Sequence, residues 1–270
     1  MNGEGLPMDS RLNPERVVKN WLTGIVGGVL FWGLILGIVF FVEVVSPAKV
    51  LLLKSNSFIR EKLGLDSWIP LVGISHLAVE AVILNEDDGF YRHEGYEPRA
   101  IQNAVKNDVV SLSLKRGGST ITQQVVKNLL LSRKKSFRRK IEEFILAREA
   151  EKSLGKERIL EIYLNTAEFG PGLYGMESAS RYYFDKKPLD LTAKEGAFLA
   201  MLLPSPLKYG KSFRDKKLTP YAERIIGFSL RRMVRARELD ARQMEIEWGK
   251  PLSFEKVLVP SSKMKFSKSL

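Results

Sequence analysis

One uncharged run near the start of the chain constrains the fold more than any other feature of the sequence. Between Trp21 and Val42 no side chain carries a charge, and this length is about what an α-helix needs to cross a bilayer. Trp21, Phe40 and Phe41 place aromatic rings near both ends, as membrane interfaces favour. The run is too long for the core of a signal peptide, and soluble helices seldom extend so far without a polar face. We therefore predict a retained transmembrane anchor; a buried core helix is the alternative.

The basic residues that flank this run leave its orientation open. Arg11, Arg16 and Lys19 precede the run, and Lys49 and Lys54 follow it. An excess of Lys and Arg marks the cytoplasmic side of a membrane helix. Because the two sides carry nearly equal numbers, charge does not decide which end faces the cytoplasm.

Length and composition bound what the rest of the chain can be. The 270 residues, 44% of them hydrophobic, suffice for one large domain with a core plus an accessory segment. The formal net charge of +12 predicts an anionic partner, which could be nucleic acid, acidic lipid headgroups or a phosphorylated substrate. The absence of cysteine excludes disulfides and thiolate metal sites. The only histidines, His76 and His93, argue against a zinc site.

Three consecutive acids follow an apolar segment in the middle of the chain. Residues 77–84 are mostly apolar and lead into Glu86, Asp87 and Asp88. Like charges repel, and burial at the end of an apolar helix would raise the pKa of at least one carboxyl toward the range of a general base. The alternative is a solvated helix end, because clustered acids usually face water.

A glycine pair precedes the next polar motif. After Gly117 and Gly118, Ser119 or Thr120 is placed to cap a helix that continues to Asn128. A helix N-terminus with exposed backbone donors suits a phosphate. An ordinary capped loop is the alternative.

The third polar motif lies on a helix with a mixed face. The apolar residues between Ser136 and Lys152 follow helical periodicity, which places Arg139, Lys140 and Glu143 together on the opposite face. Basic residues N-terminal to the glutamate are the less favourable order for helix stability. We therefore interpret the group as a pyrophosphate site with an orienting acid; a surface salt bridge is the alternative.

These motifs occur in an order that resembles a known family. The segments ILNEDDGFYRHEG (83–95), GGSTITQQVVKN (117–128), RKIEE (139–143) and ILEIYLN (159–165) are similar to the successive motifs of the family-51 glycosyltransferases, the peptidoglycan polymerases. EFGPGLYGME, at 168–177, together with the following segment that ends in RYYF resembles the monofunctional branch in particular. The resemblance covers roughly Ile69 to Lys208.

The resemblance implies a fold and a reaction. The expected fold is mainly α, a lysozyme-like glycosyltransferase domain on an N-terminal transmembrane helix. The implied reaction polymerises lipid II into β-1,4 glycan strands, with inversion at the anomeric carbon and release of undecaprenyl pyrophosphate. The implied catalytic carboxylates are Glu86, as general base, and Glu143, whose role is left open between orienting cations, holding a divalent ion and assisting the leaving group.

The remaining site residues are carried over from the motifs. Asp87, Phe90 and His93 would position Glu86 and the acceptor sugar, and Lys127, Arg139 and Lys140 would neutralise the departing pyrophosphate. The implied substrate-binding residues of the second motif are Thr122, Gln123, Gln124, Lys127 and Asn128. In the fourth motif, which also contains Tyr163, we expect Glu161 and Asn165 to be structural braces rather than reactants. No cofactor is clearly required, and a divalent cation (Mg or Mn) at the pyrophosphate is left open.

The resemblance also implies partners, location and domain boundaries. The partners would be lipid II, the growing glycan chain and the membrane, with other cell-wall synthesis proteins left open and no nucleic acid. The chain would be single-pass in the cell inner membrane, with its catalytic domain on the periplasmic side and without peptide cross-linking activity. We expect a cytoplasmic tail at 1–20, the anchor at 21–42, a stalk at 43–70, the catalytic domain at 71–245 and a C-terminal tail at 246–270.

Several further expectations remain. Residues 100–115 have ambiguous periodicity; the resemblance implies a mobile segment that leans on the membrane, and an ordinary surface helix and loop is the alternative. Thr192 and Glu195 form a capping box that begins a core helix. Two rival classes stay open: a lysozyme-like enzyme that cleaves glycan with paired acids, and a basic scaffold for nucleic acid or membrane.

Overall fold

The computed structural model describes residues 14–96, 119–132, 134 and 136–255, and the chain divides into two compact units. The units comprise residues 1–48 and 49–270. The segment predicted to be mobile, residues 100–115, lies outside the described residues.

The first unit contains most of α1, which runs from Pro14 to Leu51. Its segment Val18–Val39 has a mean hydropathy of 2.2, is entirely unburied, and is long and apolar enough to cross a membrane. The helix begins earlier than the predicted anchor, since proline is well tolerated in the first helical turn. Residues 14–20, predicted as part of a tail, are therefore helical.

The second unit is built almost entirely of helices. Its elements in chain order are α2 Asn56–Leu63, α3 His76–Glu86, α4 Ile121–Leu130, α5 Phe137–Leu154, α6 Lys156–Thr166, β1 Glu168–Gly170, β2 Leu173–Tyr174, α7 Met176–Phe184, α8 Ala193–Leu202, α9 Pro206–Tyr209, α10 Lys211–Arg214, α11 Pro220–Arg235 and α12 Ala241–Gly249. The two short strands pair in an antiparallel sheet. The mainly α expectation is confirmed.

The helix α8 is the centre of the core. All of its residues are buried, and it packs against α3, α11 and α12. The predicted capping box is present, with Thr192 accepting from the backbone N–H of Glu195. The backbones of α3 and α8 approach so closely that a Cβ on Gly196 would lie 2.6 Å from the Cα of Ala78. A second group of helices, in which α4 packs on α5 and α6, adjoins the end of α3.

Core packing extends beyond two of the predicted domain boundaries. Within the predicted stalk, Leu53 and Ile59 are fully buried in the core, and the Arg158 side chain donates to the carbonyl of Leu53 at 3.0 Å. At the other end, Leu252 and Phe254 are buried, although the tail was predicted to begin at residue 246. Both segments look polar in sequence, but their few apolar side chains find partners that are distant along the chain.

The expected braces of the fourth motif are confirmed. Glu161 accepts hydrogen bonds from the Trp68 indole at 3.0 Å and from the backbone N–H of Leu71 at 3.1 Å. The Asn165 amide pairs with both backbone groups of Ile69, accepting at 2.9 Å and donating at 2.8 Å. These bonds fix the segment before α3 on the face of α6.

We expect Asn165→Ala to lower the free energy of unfolding by about 2 kcal/mol, because it leaves both backbone groups of Ile69 without their partner. Urea unfolding measures the change, and Asn128→Ala, at an exposed position, is the matched control. A loss no larger than that of the control would show that Asn165 is not a brace.

Candidate active site

Glu86 is the last residue of α3 and stands where three helices meet. Its Oε2 accepts a hydrogen bond from Gln124 Nε2 of α4 at 2.8 Å. The Tyr163 hydroxyl of α6 donates toward the same oxygen at 3.5 Å. The Lys127 ammonium, one turn beyond Gln124, attracts this carboxylate. A single carboxylate is therefore held among neutral donors with one cation within electrostatic reach.

Burial raises the pKa of Glu86 above its ordinary value. Hydrogen bonds from Gln124 and Tyr163 and the charge of Lys127 oppose this shift, and the neighbouring Asp87 adds to it. The pKa is raised overall because removing an ionised carboxyl from water costs more free energy than these contacts contribute. The expectation that one acid of the cluster has a raised pKa is thus met at Glu86, and a carboxyl with a raised pKa is suited to accept a proton.

This shift predicts a pH-dependent stability. A carboxyl whose pKa is higher in the folded state stabilises the fold below its unfolded pKa, and this contribution is lost as pH rises through the folded pKa. We expect Glu86→Gln to raise the free energy of unfolding at pH 8 relative to wild type, and much less at pH 4. Each unit of pKa shift is worth about 1.4 kcal/mol.

Urea unfolding at both pH values measures the difference, with Glu94→Gln, at an exposed position, as the control. Equal effects of Glu86→Gln at pH 4 and pH 8 would contradict the raised pKa.

Asp87 joins the end of α3 to the start of α4. Its buried carboxylate accepts from the backbone N–H of Ile121 at 2.9 Å and lies 2.9 Å from His93 Nε2. The N–H of Gly95 donates to His93 Nδ1 at 3.1 Å, so Nε2 carries the proton and donates to Asp87. A carboxylate at a helix N-terminus is also favoured by the helix dipole.

Three side chains of the first motif lie in the interior of the domain. Phe90 is fully buried, and the side chains of Asp87 and His93 are only 3% and 7% exposed. Burial at this level supports their predicted role in positioning Glu86. It does not support their contact with a sugar.

The N-terminus of α4 is not a phosphate site. Of the two candidate caps, Thr120 caps the helix, forming a capping box with Gln123. The N–H groups of Ile121 and Gln123 are bonded to Asp87 and Thr120, and Thr120, Ile121 and Thr122 are buried. The predicted phosphate site at this helix end is wrong, because the donors already have partners inside the protein.

The second motif divides into two sets. Gln124 and Lys127 face Glu86, as described above. Thr122 is fully buried and donates to Glu151 Oε1 at 2.6 Å, and Gln123 is buried in the capping box. Asn128 lies on the exposed side of α4. Helical periodicity explains this division, since positions 124 and 127 are one turn apart on one face.

A cationic group surrounds Glu143 on α5. Its side chain is 1% exposed; Oε1 accepts from Lys140, and Oε2 lies 3.9 Å from Arg139 Nη1. Burial lowers the pKa of the nearby Lys127, while Glu143 and Glu86 act in the opposite sense. Arg139 Nε is buried and has no hydrogen-bond partner among the described residues. The predicted grouping of Arg139, Lys140 and Glu143 is present.

The described residues contain no group of three or more acids, histidines or cysteines that could hold a metal ion. Glu143 already faces a cation on each oxygen. This favours its interpretation as an acid that orients cations. The divalent cation (Mg or Mn) stays a prediction.

Sequence reasoning missed the supports behind the site. It assigned no role to Tyr163, whose hydroxyl approaches Glu86. It also missed Lys156, whose ammonium donates to Glu151 Oε1 and to the carbonyl of His93, both at 2.7 Å, and lies 4.5 Å from the centre of the Phe90 ring. The signals for Tyr163 were its place in the fourth motif and its position on the apolar face of its helix, and Lys156 offered none.

Fold and site together define a helical domain in which a carboxylate of raised pKa, Glu86, lies near Lys127, and Lys127 in turn lies near Arg139, Lys140 and Glu143. A family model described as Transglycosylase matches residues 57–233, more than half of the chain. The chain belongs to this transglycosylase family, and the expected lysozyme-like glycosyltransferase fold is confirmed with it.

Curated relatives agree with the family. A biosynthetic peptidoglycan transglycosylase of Paraburkholderia xenovorans is 44% identical over 155 residues, covering 57% of this chain and 63% of that protein. A biosynthetic peptidoglycan transglycosylase from Azoarcus sp. is 42% identical over 161 residues, covering 60% of this chain and 69% of that protein. Penicillin-binding protein 1F of Bacillus subtilis is 41% identical over 148 residues, covering 55% of this chain and 21% of that protein. The match thus spans less than two thirds of the first and third of these proteins.

Proposed function

We propose that this protein is a peptidoglycan glycosyltransferase that polymerises lipid II into β-1,4 glycan strands and releases undecaprenyl pyrophosphate. The observation that carries the proposal is the arrangement around Lys127. This cation lies near Glu86, a carboxyl whose pKa is raised by burial, and also near the Arg139, Lys140 and Glu143 group. A base and a pyrophosphate-neutralising group are the two parts that this reaction needs. The names of the curated relatives support the same substrate class.

In the proposed step, Glu86 accepts the proton of the acceptor sugar hydroxyl on lipid II. The hydroxyl oxygen forms a bond to the anomeric carbon of the growing chain from the face opposite the pyrophosphate, and the bond from that carbon to the pyrophosphate oxygen breaks. Inversion follows from this geometry. Lys127, Arg139 and Lys140 neutralise the charge that develops on the leaving oxygen, which is where preorganised electrostatics contribute most.

The cations around Glu143 also bear on the alternative reaction, glycan cleavage. A glycan-cleaving enzyme needs a second carboxyl that donates a proton or attacks the sugar. The Glu143 side chain is 1% exposed, and its two oxygens face Lys140 and Arg139. It is therefore poorly placed to reach a sugar, which favours polymerisation over cleavage.

The product of the reaction tests the proposal. Purified full-length protein should convert lipid II into longer glycan and should not shorten the glycan of preformed sacculi; Glu86→Gln is the control. Shortened sacculi without polymer would support the lysozyme-like alternative. If the protein made neither product, the proposed activity would be overturned.

We further propose that α1 anchors the protein in the inner membrane with its catalytic domain on the periplasmic side. The segment Val18–Val39 is apolar enough to span, and the proposed substrate is a lipid used outside the cytoplasm. A reporter fused after Leu270 should be active in the periplasm, and one fused before Trp21 should not. The reverse pattern of reporter activity would overturn the orientation.

A further inference from the structure

The position of Glu86 creates a mechanical requirement. Glu86 ends α3, and the next residue leaves helical geometry with φ −160° and ψ 75°. Helix ends fray, yet displacing a reacting group by 1 Å can cost about 10²-fold in rate. The residues on both sides of Glu86 must therefore be held, and the contacts of Asp87 and Gln124 described above do this only toward α4.

The opposite side is held by α11, which packs against α3. Two α11 side chains, one turn apart, contact the residues that flank Glu86 and Asp87. Asn85 Nδ2 donates to Ser229 Oγ at 2.6 Å. Arg232 Nη2 donates to Asp88 Oδ2, also at 2.6 Å.

Both contacts are themselves supported. Ser229 is fully buried, and the Asn85 amide also donates to the carbonyl of Ala81. The carbonyl of Asp88 accepts from Arg92 at 2.9 Å, and the Arg232 guanidinium lies 5.6 Å from the centre of the Phe228 ring. Asp88 and Arg232 are each held at two points, so their pairing fixes the backbone after Glu86.

Stability alone is a weak reason for the Asp88 and Arg232 pair. The Asp88 side chain is 53% exposed, and ion pairs with such exposed partners add little to the stability of a fold. Their location, two residues beyond Glu86, is what distinguishes this pair from other surface pairs on the domain.

We propose that α11 is a positioning element for Glu86, in which Ser229 and Arg232 fix Asn85 and Asp88 on either side of it. This inference rests on the proposed function for its catalytic consequence. The mechanical part does not depend on any substrate.

Hydrogen exchange of the full-length protein tests the mechanical part. Arg232→Gln and Asp88→Asn should each accelerate exchange of the amides at 86–88 by about tenfold, because the end of α3 opens locally. Exchange in α8 should be unchanged. Arg235→Gln, at an exposed position on the same helix, is the matched control and should change neither. Unchanged exchange at 86–88 in both variants would overturn the proposal.

Kinetics with lipid II test the catalytic part. Arg232→Gln and Asp88→Asn should each lower kcat by about tenfold or more, the scale expected for a misplaced group, and leave KM within about twofold. The double variant should lose no more than either single variant, because each removes the same contact. Arg232→Lys, which keeps the cation, should recover part of kcat.

The pH profile separates positioning from general damage. Among the described residues, the ionisable groups that face Glu86 are Asp87 at its own helix end, Lys127 on α4 and Tyr163 on α6. The Asp88 and Arg232 ion pair lies two residues beyond it. Release of the helix end lets water reach Glu86, so the acid limb of the kcat profile should move to lower pH in the double variant of Asp88→Asn with Arg232→Gln, which removes both charges of the pair together. If the acid limb of the pH profile does not move and kcat is normal, the role of α11 in catalysis is wrong.

The two readouts also separate this inference from the proposed function. If the variants change hydrogen exchange at 86–88 but the wild-type protein makes no glycan, the proposed function is wrong. The mechanical role of α11 is then still supported. Glycan synthesis by wild type with unaltered exchange in the variants would remove only the role of α11.

Discussion

Glu86→Gln should lower the rate of glycan polymerisation by about 10²- to 10⁴-fold, the range that a general base contributes, while lipid II binding stays close to wild type. The amide keeps the shape of the side chain and can still accept the hydrogen bond from Gln124. It loses only the capacity to take a proton. Single-turnover polymerisation and equilibrium binding of lipid II measure the two effects separately.

The control for this variant is Glu94→Gln, which changes an exposed carboxylate in the same motif. It should polymerise at the wild-type rate. Retention of more than about a tenth of wild-type turnover by Glu86→Gln, below the smallest effect of a base, would show that another group takes the proton. Asp87 is not an available substitute, because its carboxylate already bonds to His93 and Ile121.

Lys127→Gln should lower turnover by about 10²- to 10³-fold, the cost of removing one preorganised stabilising group, and should also weaken lipid II binding. Lys127 is a cation that attracts both Glu86 and Glu143, so it lies near the proposed base and near the carboxylate that pairs with Arg139 and Lys140. The loss in binding should shrink as salt is raised, because screening weakens the wild-type interaction. Binding titrations at low and high salt measure this.

Lys152→Gln is the matched control, since Lys152 lies on the exposed surface of α5. Its turnover should be unchanged. Loss of binding in Lys127→Gln that does not depend on salt would indicate a shape effect and contradict the electrostatic role. The product assay still reports polymerisation in that case, so the proposed function is tested independently.

Local pattern predicted some parts of the structure well. The capping box at Thr192, the core helix that follows it, and the braces Glu161 and Asn165 were all anticipated. These features depend on residue spacing within one helix or on a recognised motif. The prediction of a phosphate site at the start of α4 was wrong for the opposite reason. The N–H of Ile121 is occupied by Asp87, a partner 34 residues away along the chain, which local pattern does not reveal.

The amino-acid sequence by itself determined the membrane-spanning length of α1, the helical character of the catalytic domain, and the order of the polar motifs, because each is a property of neighbouring residues. Only the tertiary structure decided that Glu86 is the acid of the 86–88 cluster whose pKa rises, since desolvation depends on what packs around the end of α3. It alone also placed Ser229 and Arg232 against the residues that flank Glu86 and Asp87. Each is separated by 144 residues from its partner, Asn85 or Asp88, and no spacing rule reaches across that distance.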